Sequence, residues 1–187
     1  MIPSPGSEVG TVGEALAQCP LQQREEAAMS AEINVITSGP RLRVNLRDDF
    51  VVDTDRSRLD LVRVHKWLST DAFWAMGRSF EVVKRAADAS INFGLYGPDG
   101  TQAGYARVVT DGVTSGWLCD VYLVPEIRGR GLGTALSRVI VDFIRPLGLR
   151  RFMLSTKDAH ELYAKTGFIP FPEPQNLMVL GSEKIQE

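Results

Sequence analysis

The stretch CDVYLVPEIRGRGLGTALSRVIVDFIRP, Cys119 to Pro146, constrains this chain more than any other. An apolar, strand-like run ends at Pro125. Gly129, Gly131 and Gly133 then alternate with Arg130 and Leu132, and an apolar stripe of Leu132, Ala135, Leu136, Val139, Ile140 and Phe143 holds the helical period until Pro146 stops it. Alternate glycines let a backbone come close to a ligand and take angles that other residues avoid. At a helix start, the first-turn N–H groups lack intrahelical partners and the helix dipole favours negative charge. With Arg128 and Arg130 beside it, the segment reads as a local anion site, and phosphate is the first suspect. A Walker loop needs Gly-Lys-Ser/Thr, and no lysine lies near. A dinucleotide loop needs G-x-G-x-x-G inside a parallel β-α-β unit, whereas this spacing is G-x-G-x-G after a strand that closes an antiparallel meander.

Around that segment the chain alternates between periods of 3.6 and two. INVI and LRVNL suggest short strands. SRLDLVRVHKWLS suggests a helix with Leu61, Val64, His65 and Leu68 on one face and Ser57 with Asp60 as a capping pair. TDAFWAMG interrupts it, and RSFEVVKRAADA forms a second helix. INFGLY, QAGYARVVT and WLCDVYLV, joined by GPDG and DGVTSG, read as a three-strand meander. RRFMLST is a further strand, and DAHELYAKT a helix with Asp158 and Glu161 as a capping box and Gly167 at its end. FIPFP and LMVLG supply a final strand or two. The expectation is one α/β (α+β) domain over residues 31–187. Residues 1–30, rich in Pro, Gly, Ser and Gln, read as a disordered tail or as sequence upstream of a start at Met29.

Composition sets limits on partners. A net charge of -2, from 21 basic and 23 acidic residues, gives no global attraction to nucleic acid or to an anionic membrane, so an anion site must be local. No apolar run approaches the ~20 residues that span a bilayer. No secretory signal is visible, which makes a cytoplasmic setting the expectation. Cys19 and Cys119, one in the tail and one in an apolar strand, suit neither a disulfide framework nor a thiolate metal site, and no metal is expected.

The spacing R-x-x-G-x-G, Arg128 to Gly133, resembles the acyl-CoA pyrophosphate loop of the GNAT acetyltransferase superfamily. DVYLVPEIRGRGLGTALSRVIVDFI is similar to that family's central strand, loop and helix. Downstream, STKDAHELYAKTGF resembles its last strand-helix segment, in which a tyrosine stands four residues before Gly-Phe, here Tyr163, Gly167 and Phe168. VHKWLS, GYARVVTD and STKDAHELY also resemble a narrower bacterial, small-molecule-type branch. The resemblance covers residues 50 to 180. It implies a mixed, mostly antiparallel sheet of six to seven strands flanked by four helices, splayed to admit CoA. It further implies acetyl transfer from acetyl-CoA to a primary amine, a small molecule before a protein, with a homodimer possible. Backbone amides of Gly129, Arg130, Gly131, Leu132, Gly133 and Thr134 would cradle the pyrophosphate, with Arg128 at the loop's entry. Tyr122, Leu123 and Val124 would pair with the pantetheine arm. Tyr163 would protonate the departing thiolate. Thr156 stands where the family often has asparagine, seven residues before the tyrosine. A non-catalytic CoA-sensing module is the alternative.

Other side chains carry competing readings. Asp120, an acid inside an apolar strand, is a candidate base or amine anchor, or else half of a structural ion pair with Arg107 or another basic neighbour. Trp67, Phe73, Trp74 and Arg78 lie where the first helices meet, and would line an acceptor pocket or fill the core. Tyr163 could simply pack beside Ala159 and Leu162. Strict alternation sends Cys119 to the face opposite Asp120. His65 reads as a packed helix residue and His160 as a local structural one.

Overall fold

Gly100 and Gly112, both at positive φ, close the turns that fold the middle of the chain into a meander. The computed structural model describes residues 41–180; the expected tail and the strand INVI lie outside them. In chain order come β1 (Arg43–Asn45), β2 (Val51–Asp53), α1 (Leu61–Thr70), α2 (Phe80–Asp88), β3 (Ile91–Tyr96), β4 (Gln102–Thr110), β5 (Ser115–Leu123), α3 (Leu132–Ile144), β6 (Arg151–Leu154) and α4 (His160–Ala164). The strands form a single sheet in sequence order. Every neighbouring pair is antiparallel except β5 and β6, which run parallel across the α3 crossover. Among the described residues this is a mixed, mostly antiparallel sheet of six strands with four helices, within the six to seven strands and four helices that the resemblance implied.

Each face of the sheet buries its own apolar set. On one, Val52, Phe93, Leu95, Val108 and Leu118 pack under Leu132, Leu136 and Ile140 of α3, with Tyr163 of α4 in the same cluster. On the other, Tyr105 and Tyr122 pack against Val64 and Leu68 of α1 and Val83 of α2. The helix termini differ from expectation. Ser57 caps nothing; it belongs to a short 3-10 turn held by Asp55, and α1 starts at Leu61 with Asp60 accepting from the Arg63 N–H at 2.9 Å. The Asp158–Glu161 capping box does not form either. α4 starts after Ala159, whose N–H donates at 3.1 Å to the Thr156 hydroxyl oxygen. Gly167, at φ 98, ends that helix as expected, and the Phe168 N–H closes back on the Tyr163 carbonyl.

Two departures matter more. Tyr105 faces Tyr122 and Arg107 faces Cys119, so β5 carries one extra residue there. The bulge sits at Asp120, with φ at 52, a left-handed angle that aspartate tolerates better than most residues. Strict alternation therefore fails. Cys119 is the cross-strand partner of Arg107, and Asp120 Oδ2 lies 2.7 Å from Nε of the same Arg107, so the two do not take opposite faces. Second, no strand follows α4 among the described residues. FIPFP and the described part of LMVLG, Leu177 to Leu180, stay unpaired, and the described segment holds only the 3-10 turn Pro174–Asn176. Pro170, Pro172 and Pro174 have no N–H to give to a ladder, and three at alternate positions disable one whole edge.

Candidate active site

β6 pairs with β5 only from Ser115 to Leu118. From Cys119 onward that edge of β5 has no neighbouring strand among the described residues, so the sheet opens at the bulge. The opening leads to the glycine loop. Gly129 and Gly131 both take φ 74, and Gly131 occupies the N-cap of α3 with no side chain capping it. The first ladder bond runs from the Ala135 N–H to the Gly131 carbonyl at 3.1 Å. Ahead of it, no backbone N–H from Gly129 to Thr134 meets an acceptor among the described residues. Such a run of free donors at a helix start suits an anion with several oxygens.

The loop's arginines are held by the protein itself. Arg128 Nε donates to the Leu123 carbonyl at 2.8 Å and its Nη2 to Asp71 Oδ2 at 3.1 Å. The Tyr122 hydroxyl donates to the same oxygen at 2.6 Å, and Trp67 stacks on the Tyr122 ring at 5.2 Å. These two donors, the tyrosine first, hold the Asp71 carboxyl below its ordinary range. Burial, then the bond to Asp71, pushes the Tyr122 phenol up to about 12. The cluster pins the end of α1 to the start of the loop. Arg130 donates to Asp48 Oδ2 at 2.8 Å, tying the loop to the β1–β2 turn, where Asp48 and Asp49 take positive φ. Arg47 of that turn lays its guanidinium where a side chain on Gly131 would begin. Leu123 O is thus occupied, as are Val124 N–H (by Ala103 O) and Val124 O (by Ile127 N–H), which leaves the free edge of β5 upstream of them.

Tyr163 is 9% exposed and lines a groove of about 850 Å³ together with Leu154, Ser155 and Thr156. Its hydroxyl bonds to no described residue. Burial first, then the nearby negative charge of Asp158, pushes the phenol up to about 12, so it is fully protonated at neutral pH. Thr156 has its oxygen engaged by the Ala159 N–H, and its hydroxyl proton remains to be given elsewhere.

Asp120 is the bulge residue itself. Its Oδ2 accepts from Arg107 Nε at 2.7 Å and from Arg78 Nη1 at 2.8 Å, with the carboxylate side chain 4% exposed. Arg107 also reaches Ser90 Oγ at 3.2 Å. The ion pair with Arg107 is present, and Arg78, read from sequence as a pocket residue, is its second partner. Burial raises the Cys119 thiol even though Arg107 and Arg78 oppose the shift, so the group stays a thiol at neutral pH. His65 is half-buried on α1, hydrogen-bonds the Arg78 carbonyl at 3.1 Å and meets Phe80 edge-on. Of the aromatic candidates, Trp67 belongs to the Tyr122 cluster. Phe73 and Trp74 are 57% and 44% exposed, and Lys157, from the β6–α4 loop, lies over the Phe73 ring at 5.8 Å. That contact joins the α1–α2 connection to the loop that carries Thr156.

Asp71, Arg47, Asp48 and Lys157 were not singled out from sequence. Each is one polar residue in a polar stretch, and only contacts to partners far along the chain distinguish it.

Comparison with known proteins gives the family. The family described as "Acetyltransferase (GNAT) family" matches residues 61–168. A Gibberella zeae protein named among the acetyltransferases is 34% identical over 138 residues, spanning 64% of this chain and 78% of its own. A crystal structure from Xanthomonas campestris, assigned to the GNAT family, is 44% identical with a TM-score of 0.67, covering 71% of this chain and 93% of that one. A Mycobacterium tuberculosis protein solved in complex with CoA shares the fold at 21% identity and a TM-score of 0.55, covering 64% of this chain and 72% of its own. The family model spans more than half of the chain, and this chain belongs to the GNAT acetyltransferases.

Proposed function

We propose that this chain is an N-acetyltransferase that moves the acetyl group of acetyl-CoA directly to a primary amine. The observation that carries the reading is the unpartnered run of N–H groups from Gly129 to Thr134 at the foot of the opening between β5 and β6. The M. tuberculosis relative, solved with CoA, supports the choice of cosubstrate. Pyrophosphate oxygens would take the loop amides, and the pantetheine arm would lie along the free edge of β5. The neutral amine nitrogen attacks the thioester carbonyl, the C–S bond breaks with its electron pair going to sulfur, and Tyr163 gives that sulfur its proton. The amine's surplus proton leaves through water. Asp120, holding two guanidiniums on one oxygen, serves in this reading as the anchor that fixes the bulge and Arg78. Phe73 and Trp74 line the acceptor's approach.

A thermal melt tests the cosubstrate. Acetyl-CoA at a hundred times its Kd should add ~2.7 kcal/mol, a rise in Tm of roughly 5–10 °C for a domain of this size, with NADH and ATP as controls. No shift at saturating acetyl-CoA would sink the assignment. The loop can be tested separately. In Gly131→Val a β-branched residue takes a left-handed N-cap, costing ~1–2 kcal/mol, and drives its side chain into the Arg47 guanidinium. Calorimetry should then show CoA affinity at least tenfold weaker, with far-UV circular dichroism unchanged. Unaltered affinity would move the phosphates off this loop.

A further inference from the structure

We propose that the acceptor is a small amino-carboxylic acid with an apolar body, whose carboxylate is held by Arg78; this names the acceptor of the acetyl transfer proposed above and rests on it. Asp120 pairs through one oxygen with two guanidiniums, Arg78 at 2.8 Å and Arg107 at 2.7 Å. Among the described residues no second carboxylate pairs with either arginine. The acids of the neighbouring helices are engaged elsewhere: Asp71 by Tyr122 and Arg128, Asp88 by Arg56 and Lys84, and Glu81 lends its charge to Lys84. The cluster thus carries one surplus positive charge in a half-buried place, which is costly until an anion joins it.

Arg78 presents the right edge for that anion. It gives only Nη1 to Asp120; its Nε and Nη2 have no partner among the described residues, and neither is sealed from solvent. Those two N–H groups form one side of the planar guanidinium, and their spacing matches the two oxygens of a carboxylate. The backbone beneath is pinned. Gly77 turns the chain at φ 72, the Arg78 N–H donates to the Ala75 carbonyl at 3.1 Å, and the Arg78 carbonyl accepts from His65 Nε2 at 3.1 Å. A fork held in advance loses little freedom when a ligand arrives.

The fork also stands in the right place. Its partner Asp120 is the bulge residue, where β5 loses its neighbour and the sheet opens. Just ahead of Arg78 in the chain, Phe73, Trp74 and Met76 stand largely exposed, with the Phe73 and Trp74 rings edge-on at 5.1 Å. Apolar surface beside one cationic fork suits a ligand with an apolar body and one acid group. Lys157, over the Phe73 ring at 5.8 Å, adds a further positive charge. A cationic wall disfavours an ammonium ion, and the attacking nitrogen must be neutral.

Thiol release from acetyl-CoA tests this on the full chain with matched pairs: phenylalanine, leucine, serine and glutamate, each against its α-carboxamide. The carboxamide has the less basic amine, so chemistry alone favours it, and a preference for the acid has to come from binding. The expected result is that phenylalanine and leucine beat their carboxamides at least about tenfold in kcat/KM and outrun serine and glutamate. Arg78→Gln should raise KM for the acids and leave the carboxamides within about twofold, which collapses the preference. Arg78→Lys, which keeps the charge without the fork, should retain part of it. Carboxamides turned over as well as acids by the wild type overturn the proposal, and that comparison needs no variant to fold. An equal loss for acid and carboxamide in Arg78→Gln overturns it too, by reducing Arg78 to a brace for Asp120. If no acid is turned over while acetyl-CoA still raises Tm, the proposal falls and the cosubstrate assignment stands; if Tm does not move, the acetyl-transfer reading falls with it.

Discussion

Tyr163→Phe should lower kcat on the order of a hundredfold or more while leaving the Kd for CoA within about twofold, the span expected when a positioned general acid is removed. The phenyl ring keeps the apolar contacts, including the edge-on packing with Phe168 at 5.9 Å, and deletes only the hydroxyl. That hydroxyl has no hydrogen-bond partner among the described residues, so its removal leaves nothing unsatisfied and should cost little stability. Thiol release measured at saturating acetyl-CoA separates the two roles weighed for this residue. A purely packed tyrosine would leave kcat untouched. The pH profile adds a second readout. With the phenol held up to about 12, Tyr163 stays a donor across neutral and mildly alkaline pH, so the wild-type rate should climb as the acceptor amine loses its proton and show no fall from this residue below about pH 10. A descending limb near pH 8 that vanishes in Tyr163→Phe would contradict that environment.

The second large effect is on stability. Asp120→Ala should lower Tm on the order of 10 °C, because it strands two guanidiniums, Arg107 and Arg78, that are 14% and 23% exposed and share one carboxylate oxygen. Breaking a buried pair by removing one partner costs roughly 3–5 kcal/mol, mainly the cost of the charge left behind. At roughly 2–4 °C per kcal/mol for a chain of this length, that is a readily measured fall. Asp120→Asn keeps an oxygen for the arginines and should lose distinctly less. The pair of variants also separates the anchor from a base. As an anchor, Asp120→Asn retains the wild-type pH dependence of kcat/KM with a moderate loss in rate. As a base, it abolishes turnover and flattens the acidic limb while Tm scarcely moves.

Much of this architecture is legible in local pattern. Period-two runs around GPDG and DGVTSG locate the meander, and the stripe from Leu132 to Phe143 locates α3, because burial of one face leaves a direct trace in residue order. The glycine loop is legible for a similar reason. Its features are free backbone N–H groups and left-handed angles, and the glycines that permit them stand at alternate positions in one short stretch. Capping was less reliable: Ser57 and Asp158 have the right chemistry, but Asp60 caps α1, and Ala159, with no side-chain cap, precedes α4.

What sequence could not decide involves register and partners distant along the chain. Buried and less buried positions alternate along β5 without a break, so the pattern gives no sign that Asp120 forms a bulge, and strict alternation misplaces Cys119. Tyr122 and Arg128 meet Asp71 across 51 and 57 residues, and Arg130 meets Asp48 across 82, through single hydrogen bonds that leave no periodic signature. LMVLG has the composition of a strand, but whether it pairs depends on a free edge within reach and on three prolines between them. Composition and spacing therefore determined most of the elements and the glycine-rich loop ahead of α3, since these follow from local burial and local backbone freedom. The tertiary structure alone decided where the sheet opens, which charges neutralise one another and which strand edge remains unpaired, since those are set by contacts between segments that are remote in the chain.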